Sequence, residues 1–139
     1  MSPTDLRTVA VGDALPELVL EMTSTRIVAG AIATRDFMPV HHDRDYAQAQ
    51  GAPEIFMNIL STNAYCGRYL SDWAGPDSLV RSLSIRLGVP VFAGSTLRFT
   101  GQVTAIEPAG DDRLVHVELS AANDLGVHAS GTAIVAIPA

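Results

Sequence analysis

The residues best suited to chemistry are Asp36 and His41, which stand five positions apart with Pro39 between them. On a helix this spacing would turn the two side chains about 140° apart, whereas a loop bending at Pro39 lets both face one cavity. A carboxylate and an imidazole can each be tuned to move protons near neutral pH. The pair therefore suits the addition of water to a double bond. Spacing alone leaves the ordinary readings open, namely a capping Asp and a structural or exposed His.

The elements that must position this pair can be predicted from caps and breakers. Residues 23–25 offer N-caps for a helix that ends near Thr34. Residues 35–43 form a loop, and Asp43 can cap a short helix that Gly51 stops. A long helix is predicted over residues 56–73. Its apolar face should contain Ile59, Cys66, Leu70 and Trp73, beside a face of smaller residues at Leu60, Ala64, Gly67 and Ser71.

The second half of the chain changes to a period of two, which predicts strands with one buried face. Another short strand is predicted at residues 18–20. We expect an antiparallel meander packed on the long helix, an α+β arrangement typical of a hot-dog fold, in a single domain over residues 1–139. The residues predicted to face the helix are Leu83, Ile85, Leu87, Leu97, Phe99, Val103, Ala105, Val115, Val117, Leu119, Val127, Ala129, Ala133 and Val135.

Bulk composition limits the classes of function. The 139 residues carry a formal net charge of −6 and a pI of about 5.0, which disfavours nucleic acid as a partner. All nine basic residues are Arg, so chemistry that needs Lys is excluded. Cys66 is the single cysteine and allows no internal disulfide. Neither the first ten residues nor any apolar run resembles a leader or a membrane span, so we expect a soluble, cytoplasmic protein.

Other reactive side chains have ordinary interpretations. His42 is expected to face solvent or lie beside a cap, and Cys66 to be inert core. His116 and His128 fall on the polar side of strands, so we expect them to be exposed or at an interface. No spacing of His, Cys or carboxylates predicts a metal site. Solvated positions are favoured for three strand arginines, with binding of the phosphates of a ligand as the alternative: Arg81, Arg86 and Arg98.

The stretch Arg35-Asp-Phe-Met-Pro-Val-His41 resembles the hydratase motif of MaoC-like (R)-specific enoyl-CoA hydratases, Gly-Asp-x-Asn-Pro-x-His, followed after five residues by Ala or Ser. Asp36, Pro39, His41 and Ala47 match, whereas Arg35 and Met38 replace Gly and Asn. The resemblance implies a hot-dog fold in which Asp36 and His41 hold the attacking water. Which of the two is the base and which the acid stays open.

The same family places His-Gly-Met-Leu at the start of its central helix, where this chain has residues 57–60, Met-Asn-Ile-Leu. The resemblance implies that backbone N–H groups of Asn58 and Ile59 contact the thioester oxygen. A helix N-terminus suits that role because it offers free donors and a partial positive charge.

A narrower resemblance, to small subunits of actinobacterial hydratases that degrade steroid side chains, rests on ATRDFMPVHHDRD, IFMNIL, DWAGP and IRLGVP. It implies that this chain is the catalytic subunit of a hetero-oligomer that hydrates a steroid enoyl-CoA in cholesterol catabolism. The implied partner is a larger MaoC-like chain whose zinc-binding accessory domain docks a thiolase-like aldolase. No cofactor is implied, since CoA is part of the substrate.

Two alternatives remain. The chain could be a homodimeric hydratase or dehydratase of linear fatty enoyl thioesters, or a non-catalytic hot-dog subunit that only completes a partner's site. A thioesterase is disfavoured, because those enzymes place a carboxylate on the central helix and residues 57–71 contain no Asp or Glu.

Overall fold

The computed structural model describes residues 5–139. Residues 1–4, part of the segment that carried the leader prediction, lie outside that range. The helices are α1 (Ser24–Ala33), α2 (Arg44–Ala49) and α3 (Ile59–Ala74), with 3-10 turns at Leu6–Thr8 and Pro39–His41. Every helix in the described range is too short or too polar to span a lipid bilayer. The strands are β1 (Ala14–Met22), β2 (Leu79–Leu87), β3 (Ser95–Ala109), β4 (Asp112–Asn123) and β5 (Gly126–Pro138).

The five strands form one antiparallel sheet in the order β1-β3-β4-β5-β2. This sheet packs against α3, so the predicted α+β hot-dog fold is confirmed. The meander is correct for β3, β4 and β5 but wrong for β2. Residues 88–94 carry the chain across the sheet, and β2 therefore pairs with β5 at the far edge. The short strand predicted at residues 18–20 is the middle of a nine-residue strand, β1.

The long helix starts later than predicted, and of its predicted apolar face Cys66, Leu70 and Trp73 are buried whereas Ile59 is not. Phe56 pairs with Phe92 in an isolated bridge, and Asn58 caps a helix that begins at Ile59. Ile59, predicted to be inward, is 65% exposed because it lies at the open end of the helix. Leu60, Ala64 and Ser71 are also exposed. The face that packs on the sheet contains Thr62, Cys66, Tyr69, Leu70 and Trp73.

Irregular pairing explains the errors in the predicted strand faces. A bulge between Val103 and Ala105 reverses the alternation of β3, so Ala105 is exposed and Ile106 packs on the core. A second irregularity lets Ala122 pair with Val127 while Ala121 pairs with Ala129. The residues around it are reversed as well. Val127 is exposed and His128 is buried, contrary to prediction, and Leu87 on the edge strand is also exposed.

Candidate active site

The site begins where α1 ends in a Schellman turn. Asp36 N–H donates to Ala31 O at 2.9 Å and Arg35 N–H donates to Ile32 O at 3.1 Å. This turn requires a left-handed residue, and Arg35 adopts φ = 58°. Glycine is favoured at such a position, so the arginine costs about 1 kcal/mol of strain. The turn directs Asp36 away from the axis of α1.

The Asp36 carboxylate is fixed at both oxygens. Its Oδ1 accepts from Met38 N–H at 3.3 Å, and its Oδ2 accepts from Asn58 Nδ2 at 3.1 Å. The hydrogen bond from Asn58 is the main reason that the pKa of Asp36 is lowered; the Met38 N–H and the His41 ring also contribute, against partial burial. The side chain is still 30% exposed, so an ionised carboxylate faces the surface at neutral pH.

His41 ends the 3-10 turn that Pro39 starts. Its ring is held by Phe56, whose carbonyl lies 2.7 Å from Nδ1 and whose side chain packs edge-on at 5.1 Å between ring centroids. A carbonyl oxygen only accepts hydrogen bonds, so Nδ1 carries a proton and Nε2 is the free nitrogen of the neutral ring. The residue is 8% exposed.

The structure brings the two predicted residues together. His41 Nε2 lies 3.5 Å from Asp36 Oδ2. The bend at Pro39 therefore brings the two side chains together, as the sequence predicted. His42, by contrast, is exposed and turns Nε2 toward Phe37 O at 3.3 Å. The arrangement leaves two proton acceptors side by side at the protein surface.

The start of α3 lies directly beside this pair. Asn58 Oδ1 accepts from Ser61 N–H at 3.3 Å, and within residues 5–139 the N–H groups of Asn58 and Ile59 make no hydrogen bond. Gly30 on α1 permits the close approach of α3, because a Cβ there would lie 2.4 Å from Ser61 Oγ. The N–H groups predicted to contact a thioester oxygen are therefore next to Asp36.

Sequence reasoning missed His128, which is 5% exposed rather than on a wet face. Its Nδ1 donates to Val89 O at 2.6 Å and its Nε2 accepts from the Thr62 hydroxyl at 2.8 Å. Burial lowers the pKa of His128, although the hydrogen bond to Val89 opposes this. The bulge that turns the residue inward has no signal in the local pattern. His128 thus supports the first turn of α3 from below.

The remaining candidates lie away from the pair. His116 is half-buried and 3.0 Å from Glu107, and Arg98 pairs with Glu17. Burial raises the pKa of the Cys66 thiol to about 11, as expected of an inert core cysteine. Among the described residues, no three His, Cys, Asp or Glu side chains are grouped as metal ligands would be. Arg81 and Arg86 are exposed strand residues.

The surface around the pair is apolar and open. Exposed hydrophobic side chains occur before, within and after the site loop, on α1, on the loop itself and at the start of α3. A cavity of about 480 Å³ lies on the outer face of the sheet beside Gly101 and Gly131, and neither Asp36 nor His41 lines it. The exposed apolar residues, called the apolar rim below, are Ile32, Phe37, Met38, Ile59 and Leu60.

Comparison with known proteins agrees with this architecture. Residues 10–124 match the family described as the MaoC like domain, so the chain belongs to the MaoC-like domain family. A 3-oxo-4,17-pregnadiene-20-carboxyl-CoA hydratase beta subunit of Mycobacterium tuberculosis is 49% identical over 122 residues, which cover 88% of this chain and 92% of the relative.

Solved structures extend the likeness. A chain of the ChsH1–ChsH2 complex from Mycobacterium tuberculosis superposes with a TM-score of 0.87 at 45% identity, covering 94% of this chain and 99% of that one. The (R)-hydratase from A. caviae involved in PHA biosynthesis superposes with a TM-score of 0.84 at 21% identity, covering 95% and 99%. The second likeness establishes the fold alone.

Proposed function

We propose that this chain is the catalytic subunit of an enoyl-CoA hydratase, which adds water across the double bond of a trans-2-enoyl-CoA. The observation that carries the proposal is the convergence of Asp36 Oδ2 and His41 Nε2, 3.5 Å apart at the surface. Membership of the MaoC-like domain family supports it, and so does the hydratase activity in the name of the relative that is 49% identical.

One water molecule can bridge these two groups by donating one hydrogen to each. Asp36 offers a carboxylate oxygen, and His41 offers Nε2, because its Nδ1 proton is engaged by Phe56 O. As the water oxygen adds to the β-carbon, the pair takes up the released proton. The pair then returns that proton to the α-carbon, so one water is consumed and no other reactant is needed.

Charge that develops on the thioester oxygen during this step needs a donor. The N–H groups of Asn58 and Ile59 stand at the start of α3, where the helix dipole adds partial positive charge. We assign them to that oxygen. Their position next to Asp36 supports this assignment, since the oxygen and the β-carbon of an enoyl thioester are only a few bonds apart.

The proposed acyl group is a steroid. The relative at 49% identity is named for a pregnadiene carboxyl-CoA. The apolar rim beside the pair offers the kind of wall that a bulky apolar acyl group requires. Neither arginine flanking the sheet edge, Arg81 or Arg86, is needed for this part of the proposal.

The proposed assembly is a hetero-oligomer. Asp36 is partly exposed and the apolar rim is exposed in the single chain, so we propose that a second chain closes the site over them. Support comes from the relative, which is a beta subunit, and from the similar structure, which is a two-protein complex. We propose a larger MaoC-like partner, with a zinc-binding accessory domain that links to a thiolase-like aldolase, in the cytoplasm.

The test is to purify the chain from its source together with bound proteins, then to assay the assembly on the pregnadiene carboxyl-CoA and on crotonyl-CoA. Asp36→Asn and His41→Ala should each lower the rate of hydration by about 100-fold or more without causing the assembly to dissociate. Unchanged hydration in both variants would instead make the chain a non-catalytic scaffold. Recovery of an active homodimer that prefers crotonyl-CoA would replace the steroid assignment.

A further inference from the structure

We propose that Asn58 is a positioning residue for hydration, whose side-chain amide holds Asp36 as an oriented carboxylate under the attacking water. The inference rests on the proposed function of Asp36. It assigns to Asn58 a role separate from its backbone N–H, because the side chain acts on the catalytic carboxylate and not on the substrate. The argument starts from the hydrogen bonds of the amide itself.

Asn58 is only 2% exposed, and both polar atoms of its side chain make hydrogen bonds. Its Oδ1 accepts from Ser61 N–H at 3.3 Å, and its Nδ2 donates to Thr34 Oγ1 at 2.9 Å and Asp36 Oδ2 at 3.1 Å. Because a backbone N–H can only donate, Oδ1 has to face Ser61. The amide is therefore oriented by its neighbours, and its NH2 group has to face Asp36.

Capping alone does not require an asparagine at this position. Ser, Thr and Asp cap helices about as well, since each accepts a hydrogen bond from the first turn. A side chain that both accepts from Ser61 and donates two bonds in the opposite direction needs an amide. An aspartate would cap α3 but would place a second carboxylate against Asp36. The donor function distinguishes Asn58 from the other good caps.

The carboxylate oxygen held by Asn58 is the oxygen that works in the proposed reaction. Asp36 Oδ2 is also the atom 3.5 Å from His41 Nε2. His41 is the titratable side chain that faces Asp36, and the first turn of α3 carries no charged residue. Arg35 adjoins Asp36 in sequence, but no ion pair joins them within residues 5–139. Losing the Asn58 donor would free the carboxylate to rotate and would raise its pKa.

The experiment compares the full chain, in the assembly in which it is active, with Asn58→Ser and Asn58→Asp. Both variants keep a capping oxygen and the backbone N–H. Asn58→Asp has no donor for Asp36, and the single, shorter hydroxyl of Asn58→Ser cannot donate to Thr34 and Asp36 together as the amide does. Ser61→Ala is the matched control in the same helical turn, because its Oγ is buried without a partner among the described residues. Asp36→Asn reports separately on the proposed function. The readout is the pH profile of kcat and KM with an enoyl-CoA.

We expect Asn58→Ser to lower kcat by about 10- to 100-fold, with KM little changed, and to move the acid limb of the kcat profile to higher pH. Asn58→Asp should move that limb further, since it adds a like charge, and it provides a second reading if the Ser variant is unstable. Ser61→Ala should behave as the wild type does.

Each other outcome has a defined meaning. If Asp36→Asn is inactive while Asn58→Ser and Asn58→Asp match the wild type, the positioning role is wrong and the hydratase proposal stands. A lower rate with an unmoved acid limb would also overturn the positioning role, because it would indicate general damage to the helix. An active Asp36→Asn enzyme would overturn both proposals together.

Discussion

Two histidines beside the first turn of α3 are held in almost the same way at Nδ1 but differ in what their Nε2 atoms contact. His41 Nδ1 lies 2.7 Å from Phe56 O, and His128 Nδ1 lies 2.6 Å from Val89 O. Both residues are less than a tenth exposed. In each ring the carbonyl fixes the proton on Nδ1 and leaves Nε2 as the acceptor.

The difference lies at Nε2. In His128 the buried Thr62 hydroxyl uses this nitrogen at 2.8 Å, so the ring has no free atom. In His41 the same nitrogen faces the Asp36 carboxylate at 3.5 Å, and in the neutral ring both atoms are acceptors that a third group, such as a water molecule, can join by donating a hydrogen to each. The comparison teaches that an unmet acceptor at the surface, and not burial or the tautomer, separates a candidate catalytic histidine from a structural one.

The largest expected effect is on activity. His41→Asn keeps an amide where Nδ1 donates to Phe56 and removes Nε2, so we expect kcat/KM to fall by about 100- to 10,000-fold. The free energy of unfolding should fall by about 1 kcal/mol, because the ring loses its packing on Phe56. Hydration assays and denaturant unfolding on the same preparation measure both. Retained activity would show that Nε2 is not needed.

The same substitution at the other histidine should have the reverse effect. His128→Asn keeps the bond to Val89 but removes the acceptor 2.8 Å from the buried Thr62 hydroxyl and leaves it only the longer contact to Asn58 O at 3.4 Å, so we expect the free energy of unfolding to fall by about 1 to 2 kcal/mol. At temperatures where the variant is folded, kcat should stay within a few-fold of wild type. Urea unfolding and the hydration assay test this. A fall in kcat of much more than a few-fold in the folded variant would contradict this prediction and would make His128 part of the active site.

The pH dependence of stability should report the burial of the His128 ring. Burial lowers the pKa of His128 in the folded chain, so the unfolded chain binds a proton more readily. Its contribution to stability is therefore complete above the unfolded pKa of about 6.5 and is lost as pH falls toward the folded pKa. The stability gap between wild type and His128→Asn should narrow between about pH 7 and about pH 5. A constant gap would contradict this.

The smallest effect concerns backbone strain on the His41 side of the comparison. Arg35 holds φ = 58° in the turn before Asp36, a conformation that glycine adopts without a Cβ penalty. Arg35→Gly should raise the free energy of unfolding by up to about 1 kcal/mol. Thermal unfolding measures the change. Arg35→Ala is the control, since it removes the side chain but keeps the Cβ, and it should give no comparable gain.

Much of the site region could be predicted because its signals are local. Thr23 and Asp43 cap α1 and α2 as expected, and Pro39 makes the bend that joins Asp36 to His41. The role of the Asn58 side chain could not be predicted. It depends on Thr34 and Asp36, which lie 24 and 22 residues away in sequence, and no pattern of polarity specifies such a contact.

The strands show the same division. Alternation predicted the inward faces of β3 and β4 up to the point where the bulge after Val103 reversed the phase. In β5 the irregularity beside Val127 turned His128 inward. One extra residue in one strand reverses every side chain beyond it, and the extra residue is defined only against the partner strand.

What the sequence by itself determined is therefore the set of local elements and the bend between Asp36 and His41. Caps, breakers and periodicity act within a few residues, and the free energies that they control do not depend on distant neighbours. Only the tertiary structure decided the placement of β2 beside β5, the burial of His128 and the hydrogen bond from Asn58 to Asp36. Those features are satisfied hydrogen bonds between distant segments, and they exist only once the sheet has closed around α3.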